Sequence, residues 1–226
     1  MNIKTDNGNY EIDHFPDTCP VCHQGIETKV TGSNFIEKDN FSKRTCLELI
    51  FRCPRLKCQE AFIGYYRKFT DNNGYERGNY YLKSVAPYYP EEPLIIEEIK
   101  EISPNFAKVY TQSHTAEKYG LDQICGVGYR KALEYLIKDY LIHIHPDKEK
   151  EILEKFLGNC VNDYIDDIKV KECAKRATWL GNDETHYLRK WIEKDIEDLK
   201  ILLELTSGWI KSNVLTKKYL DDMKEK

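Results

Sequence analysis

Four of the eight cysteines form two close pairs, Cys19-Pro-Val-Cys22 and Cys53-Pro-Arg-Leu-Lys-Cys58. Each pair lies in a Pro-containing turn, a geometry that presents two thiolates to one ion. Two such turns complete a tetrahedral sulfur site of the kind zinc prefers. Four thiolates leave no coordination position for water, so the expected zinc is structural. The alternative is two pairs of ordinary buried cysteines. The second spacing is longer than in the tightest turns, and Cys46 or His23 could substitute for one ligand. The start Met1-Asn-Ile-Lys-Thr-Asp has no apolar secretory stretch, so the cytoplasm, where thiols stay reduced, is the expected compartment and a disulfide framework is not expected. Cys125, Cys160 and Cys173 stand in apolar helical contexts and read as small core residues. A zinc hydrolase does not fit, because the four-sulfur site is closed and no His-Glu-x-x-His run occurs.

Two further groups carry polar chemistry. Arg130, Glu134 and Lys138 fall four apart at the edge of an apolar helical stripe, where Glu134 can pair with Lys138. Arg130 sits between Tyr129 and Leu133 in that pattern, so its stem should be partly buried and its head should need a partner. One reading is a solvated charge ladder; the other is an Arg-Glu pair that orients a polar site. The second group is Gly181-Asn-Asp-Glu-Thr-His186. Gly181 and Asn182 are expected to end a helix, and Asn182 and His186 would share a face if a new turn began there. A His with a poised pKa beside a phosphate-orienting cation is the minimum for metal-free RNA cleavage through the ribose 2′-OH. A lone His at a helix end is otherwise a capping or packing residue.

The elements that must position these groups change character near residue 100. Before it, Ile26–Val30, Thr45–Arg52 and Ala61–Phe69 favour strands, and Asn72-Asn73-Gly74 signals a turn into a partner strand over Asn79–Val85. Eight of the sixteen tyrosines lie in this part, including Tyr65, Tyr66, Tyr80 and Tyr81. Aromatics on a small sheet can stack bases, but alternating Tyr is also the ordinary content of a half-buried strand. Residues 86–104 hold four of the eight prolines and read as a connector, with Leu94–Ile102 forming a short strand or helix. Beyond it the chain is helical. Ser103-Pro104 is a helix start closed by Gly120. Tyr129, Ala132, Leu133, Leu136, Ile137, Tyr140, Leu141 and Ile144 make one continuous apolar face that Pro146 ends. Further helices are expected over Asp147–Phe156 and Val170–Leu180, and a last one begins near Glu193. The fold class is therefore α+β: a zinc ribbon with β-hairpin over 1–85, a connector over 86–102, and an antiparallel helical bundle over 103–226.

Composition narrows the partners. The 226 residues carry 34 basic and 38 acidic side chains, a net charge of −4 spread evenly along the chain, which argues against non-specific binding of nucleic acid through bulk charge. An apolar fraction of 41% supplies enough hydrophobic surface to offset chain entropy, so a disordered chain is not expected. No uncharged run approaches the ~20 residues a membrane helix needs, so no membrane partner is expected.

The tract Gly128-Tyr-Arg-Lys-Ala-Leu-Glu-Tyr-Leu-Ile-Lys138, followed later by Trp179-Leu-Gly-Asn-Asp-Glu-Thr-His186, resembles a bacterial family of unknown function that occurs alone or fused to restriction-endonuclease subunits. That family is grouped with the HEPN superfamily of helical bundles, whose members include ribonucleases of toxin, CRISPR and phage-defence systems. The resemblance covers roughly residues 103–212, and the cysteine pairs are similar to zinc ribbons that precede the domain. It implies an RNA- or nucleotide-binding protein of a prokaryotic stress or phage-defence system, with metal-independent endoribonuclease activity in its active form. The alternative is a non-catalytic protein-interaction module. Arg130 and Glu134 match the family's Arg…Glu, and Gly181, Asn182 and His186 match its Gly-Asn…His. The implied roles are His186 as general acid or base, Asn182 and Arg130 positioning phosphate, and Glu134 holding Arg130. Active members carry an Arg shortly before the His; here those positions hold Trp179, Leu180 and Gly181, leaving Arg130 or Arg189 to supply the charge. A homodimer with a cleft across its two-fold axis and an operon-encoded protein partner are further implications.

Overall fold

The computed structural model describes residues 1–6, 8–37 and 45–223. It is a mixed α+β structure of two compact units, Met1–Glu91 and Glu92–Lys226.

In the first unit β1 (Asn2–Thr5) and β2 (Gly8–Glu11) pair as an antiparallel hairpin. β3 (Val30–Ile36), β4 (Cys46–Arg52), β5 (Ala61–Thr70) and β6 (Glu76–Ala86) form an antiparallel sheet in chain order. Alternate residues of β4, Leu47, Leu49 and Phe51, are buried, as the period of two requires when one face meets a core. Phe62 and Tyr66 of β5, Tyr80 of β6 and Ile12 complete that core. Each buried side chain of this size contributes about 1.5–3 kcal/mol. Phe51 and Phe62 stack at 5.5 Å, and the Tyr66 hydroxyl donates to the His14 carbonyl at 3.0 Å, so its burial leaves no polar atom unpaired. Tyr66 and Tyr80 are thus core residues and offer no face to a base. The turn after β5 is held by Asp71, whose Oδ1 accepts the N–H groups of Asn73 and Tyr75.

The strands expected over Thr45–Arg52 and Ala61–Phe69 match β4 and β5 closely. The one expected over Ile26–Val30 does not form. Ile26 N–H and Thr28 Oγ1 instead donate to Asp17 and Pro16 carbonyls, and the sheet begins only at Val30. The β1–β2 hairpin went unanticipated because four residues per strand are too few for a periodic signal.

The second unit contains α1 (Glu97–Ile102), α2 (Pro104–Lys118), α3 (Asp122–Ile144), α4 (Glu149–Glu154), α5 (Leu157–Tyr164), α6 (Ile168–Asp183) and α7 (Ile196–Asp222). α3 is its axis: Tyr129, Ala132, Leu133, Leu136, Ile137, Tyr140 and Leu141 are buried, and the other six helices all pack against it. Gly120, with a φ of +71°, turns the chain between α2 and α3 in a conformation other residues resist. Ser103 occupies the N-cap position of α2, but its hydroxyl donates to the Asp139 carboxylate of α3 rather than to its own helix.

Several expected boundaries shift. Of the expected Leu94–Ile102 stretch, Glu97–Ile102 forms α1 and the three residues before it stay outside any element. The helix expected over Asp147–Phe156 is a 3₁₀ turn at Pro146–Lys148 followed by the six-residue α4. α5 was missed, since its buried face is only Leu157, Cys160 and Val161. α7 begins at Ile196, where Asp195 forms a capping box with Asp198. Most consequential for the site, α6 does not stop at Gly181 and Asn182 but runs through both to Asp183.

Candidate functional site

Two constellations emerge, one in each unit. In the first, Cys19, Cys22, Cys53 and Cys58 bring their sulfur atoms within 4.8 Å of one another. Each cysteine pair is wound in the same way. Cys19 N–H donates to the Gln24 carbonyl at 3.0 Å and Cys53 N–H to the Glu60 carbonyl at 2.9 Å, closing two turns. His23 and Gln59, the residues after Cys22 and Cys58, both adopt left-handed backbone, with φ of 54° and 56°. The longer second turn is accommodated by swinging Leu56 out to 88% exposure.

The sulfurs of Cys19 and Cys58, and of Cys22 and Cys53, lie 3.9 Å apart. That is far beyond a disulfide bond of about 2.05 Å. It matches the edge of about 3.8 Å that a tetrahedron of 2.3 Å metal–sulfur bonds would have. The four cysteines could therefore hold a metal ion, and neither His23 nor Cys46 belongs to the cluster. Neighbouring thiols titrate against one another. The Gln24 N–H favours the Cys22 thiolate and lowers its pKa, whereas desolvation raises that of Cys19. At Cys58 the Glu60 N–H favours the thiolate, but desolvation and the three other thiols push it up to about 12. A cation reverses that opposition by holding all four as thiolates.

The second constellation joins α3 to α6. Arg130 Nε donates to Asn182 Oδ1 at 3.0 Å, and Arg130 pairs with Glu134 at 3.2 Å. Glu134 also pairs with Lys138 at 3.0 Å, and Lys138 Nζ donates to the Leu153 carbonyl at 3.1 Å. The charge ladder is thus a half-buried rail connecting α6, α3 and the end of α4. Desolvation works against ionised Glu134, but Lys138 and Arg130 outweigh it and hold its pKa below the usual carboxylate value.

Gly181 exists to let Arg130 through. A Cβ there would lie 2.9 Å from Arg130 Cβ and closer still to Cδ. Gly-Asn at 181–182 is therefore the imprint of Arg130 on α6: the glycine makes room for its stem and the amide receives its head.

After α6 the chain makes a loop, residues 184–195, that places His186 in the same pocket as Asn182. They do not share a helix face, because no new turn of helix begins; both instead line an open pocket of about 710 Å³ with Trp179, Asp183, Tyr187, Leu188, Lys190 and Trp191. The loop is pinned by Asp183, which is 5% exposed and whose Oδ2 accepts the backbone N–H groups of Lys190 at 2.8 Å and Trp191 at 2.7 Å. Trp179 and Trp191 stack with centroids 5.9 Å apart and planes within 4°.

Of the two cations considered as replacements for the missing Arg, Arg130 is committed to Asn182 and Glu134. Arg189 pairs with Glu184 at 3.0 Å and donates to the Lys194 carbonyl. Lys190 enters no ion pair among the described residues and lies in the pocket with His186. Sequence reasoning missed Lys190, Asp183 and the two tryptophans. The signal was present, in that two of the three tryptophans flank the polar tract.

No family model, curated protein or solved structure matches this chain. No helix among the described residues is long and apolar enough to cross a membrane.

Proposed function

We propose that this is an RNA- or nucleotide-binding protein, with a zinc-ribbon unit that is structural and a helical unit of HEPN type. The observation that carries the reading is the meeting of Asn182 and His186 in one pocket. With Oδ1 engaged by Arg130, the Asn182 amide is left with N–H donors to offer, which suits phosphate or base oxygens. Zinc is the ion proposed for the cysteine cluster, on its donor set and its 3.9 Å sulfur spacings. The prokaryotic stress or phage-defence setting, the homodimer and an operon-encoded partner rest on the HEPN resemblance. A strict monomer in sedimentation at micromolar concentration would remove the two-fold cleft.

The same pocket could cleave as well as bind. His186 would take the proton of a ribose 2′-OH, the oxygen would attack phosphorus, and the P–O5′ bond would break with the 5′-oxygen taking up a proton from water while His186 returns its own to solvent, giving a 2′,3′-cyclic phosphate and a 5′-hydroxyl. With Arg130 and Arg189 committed elsewhere, Lys190 is the cation left to stabilise charge on the phosphate. The test is incubation of wild type and His186→Ala with total RNA and a tRNA pool in EDTA. Cyclic-phosphate ends that vanish in the variant establish a metal-independent ribonuclease; binding without cleavage leaves an RNA-binding protein. A second reading, the protein-interaction module, is favoured by Tyr187, Leu188 and Ile192, which stand 100%, 77% and 85% exposed on the loop. RNA neither bound nor cut by folded protein decides for it.

A further inference from the structure

We infer that the loop between α6 and α7 forms a slot for an unpaired nucleobase, stacked on Trp191 with its phosphate toward Lys190. The inference rests on the RNA-binding reading and names what that pocket recognises.

Three observations converge on it. First, the loop is built and held. The Asp183 carboxylate ties its far side to the end of α6, Thr185 Oγ1 donates to the Asn182 carbonyl at 2.7 Å, and Arg189 bridges Glu184 and the Lys194 carbonyl. What this bracing holds in place is a pair of parallel indoles left 42% and 44% exposed. A loop that served only to connect two helices would gain by burying rings of that size.

Second, the platform has a charged end. The Arg176 guanidinium lies over Trp179 at 5.7 Å, so one indole of the pair already carries a cation. Both indoles line the pocket that contains Asn182, His186 and Lys190.

Third, the polar groups suit a nucleotide. A base offers a flat ring face to the indole and oxygen and nitrogen acceptors to the Asn182 amide. Its phosphate offers a double-bonded oxygen and a negative charge to Lys190. The volume lies within the range of small-molecule pockets. Duplexes keep their base faces stacked inside the helix, so the slot takes single strands. An apolar peptide would use the indoles and could offer carbonyls to Asn182, but it brings no negative charge for Lys190.

Asp183 is a positioning residue in this arrangement. Its carboxylate is engaged by the Lys190 and Trp191 N–H groups and so sets Trp191 against Trp179 through the backbone.

The experiment titrates full-length, metal-loaded protein with an eight-residue oligoadenylate, the same strand in duplex with oligouridylate, and AMP. Affinity is followed by strand anisotropy and by tryptophan fluorescence. The single strand should bind, quench the indoles and outcompete the duplex. Trp191→Ala should weaken it about tenfold or more, the range expected for loss of one stacked base. Trp191→Tyr should restore most of the binding, and Trp209→Phe, which alters a ring packed on Tyr140, should leave it unchanged. Lys190→Ala should lower the slope of log affinity against log salt by about 0.7, the share of one phosphate contact. Each variant is checked for wild-type melting. Equal binding by wild type and Trp191→Ala, or duplex bound as tightly as single strand, overturns the slot while RNA binding itself stands. No binding of any nucleic acid by folded wild type overturns both.

Discussion

Arg130 and Asn182, fifty-two residues apart in sequence, meet through a 3.0 Å hydrogen bond from Nε to Oδ1. That bond fixes which way the amide faces, because only the oxygen can accept from a guanidinium. Arg130 is in turn held by Glu134, and Glu134 by Lys138. The arginine therefore acts on the pocket by setting the orientation of Asn182.

The fit between Arg130 and Gly181 can be measured as a coupling. Gly181→Ala gains helix propensity worth about 1 kcal/mol. It also drives a methyl into the Arg130 stem, at a cost typical of overpacking, about 1–3 kcal/mol. We expect a net loss of about 0–2 kcal/mol in urea unfolding. In an Arg130→Ala background, which removes the Cγ and Cδ contacts but keeps a Cβ 2.9 Å away, the same substitution should cost less, by about 1 kcal/mol. Equal effects in the two backgrounds would show that the glycine has some other purpose.

The cysteine cluster predicts bound metal. Purified protein should carry about one zinc per chain. Cys19→Ser with Cys53→Ser removes one sulfur from each turn and should abolish it, with loss of cooperative melting of the first unit. Full retention of metal by the double variant in mass spectrometry would end the zinc assignment.

A pH dependence follows from the contact between α2 and α7. Glu117 accepts from Tyr129 at 2.6 Å and from Lys200 at 2.8 Å. Desolvation opposes its charge, but these donors prevail and hold its pKa below the ordinary value. Its stabilising share is thus complete above the unfolded carboxylate value and is lost as pH falls through the lower folded one. Desolvation likewise opposes the Lys200 charge, yet Glu117 and Glu197 raise its pKa. Its share is complete below the unfolded value of about 10.4 and is lost as pH rises through the folded one. Glu117→Gln should flatten the fall of urea stability below about pH 4.3. An acid limb as steep as in wild type would assign the effect to other carboxylates such as Glu134.

Much of this was legible in the sequence where a signal repeats. α3 announces itself by eight apolar residues at helical spacing, β4 by its alternation, and the cysteine cluster by two pairs of cysteines with proline beside them. The Arg130–Glu134 pair follows from four-residue spacing alone. Signals that depend on tertiary contact were misread. Gly181 and Asn182 look like a helix end, and α6 does end one residue past them, but only the approach of Arg130 from α3 explains why a glycine stands at 181. Asp183 was silent for the same reason: its importance lies in two backbone N–H groups seven and eight residues away. Lys190 became a candidate only when Arg189, its neighbour, proved to be paired.

The clasp made by Asp183 has a consequence for how this protein can change. Its two partners are main-chain N–H groups, which every residue except proline supplies. Positions 190 and 191 can therefore be rewritten without loosening the clasp, and residues 186–188, which make none of the bracing bonds, can vary in composition while α6 and α7 stay as they are. Asp183 itself has no such latitude. The design separates a fixed buckle from an exchangeable strap, so new ligand preferences can be tried on the strap without risk to the helical core.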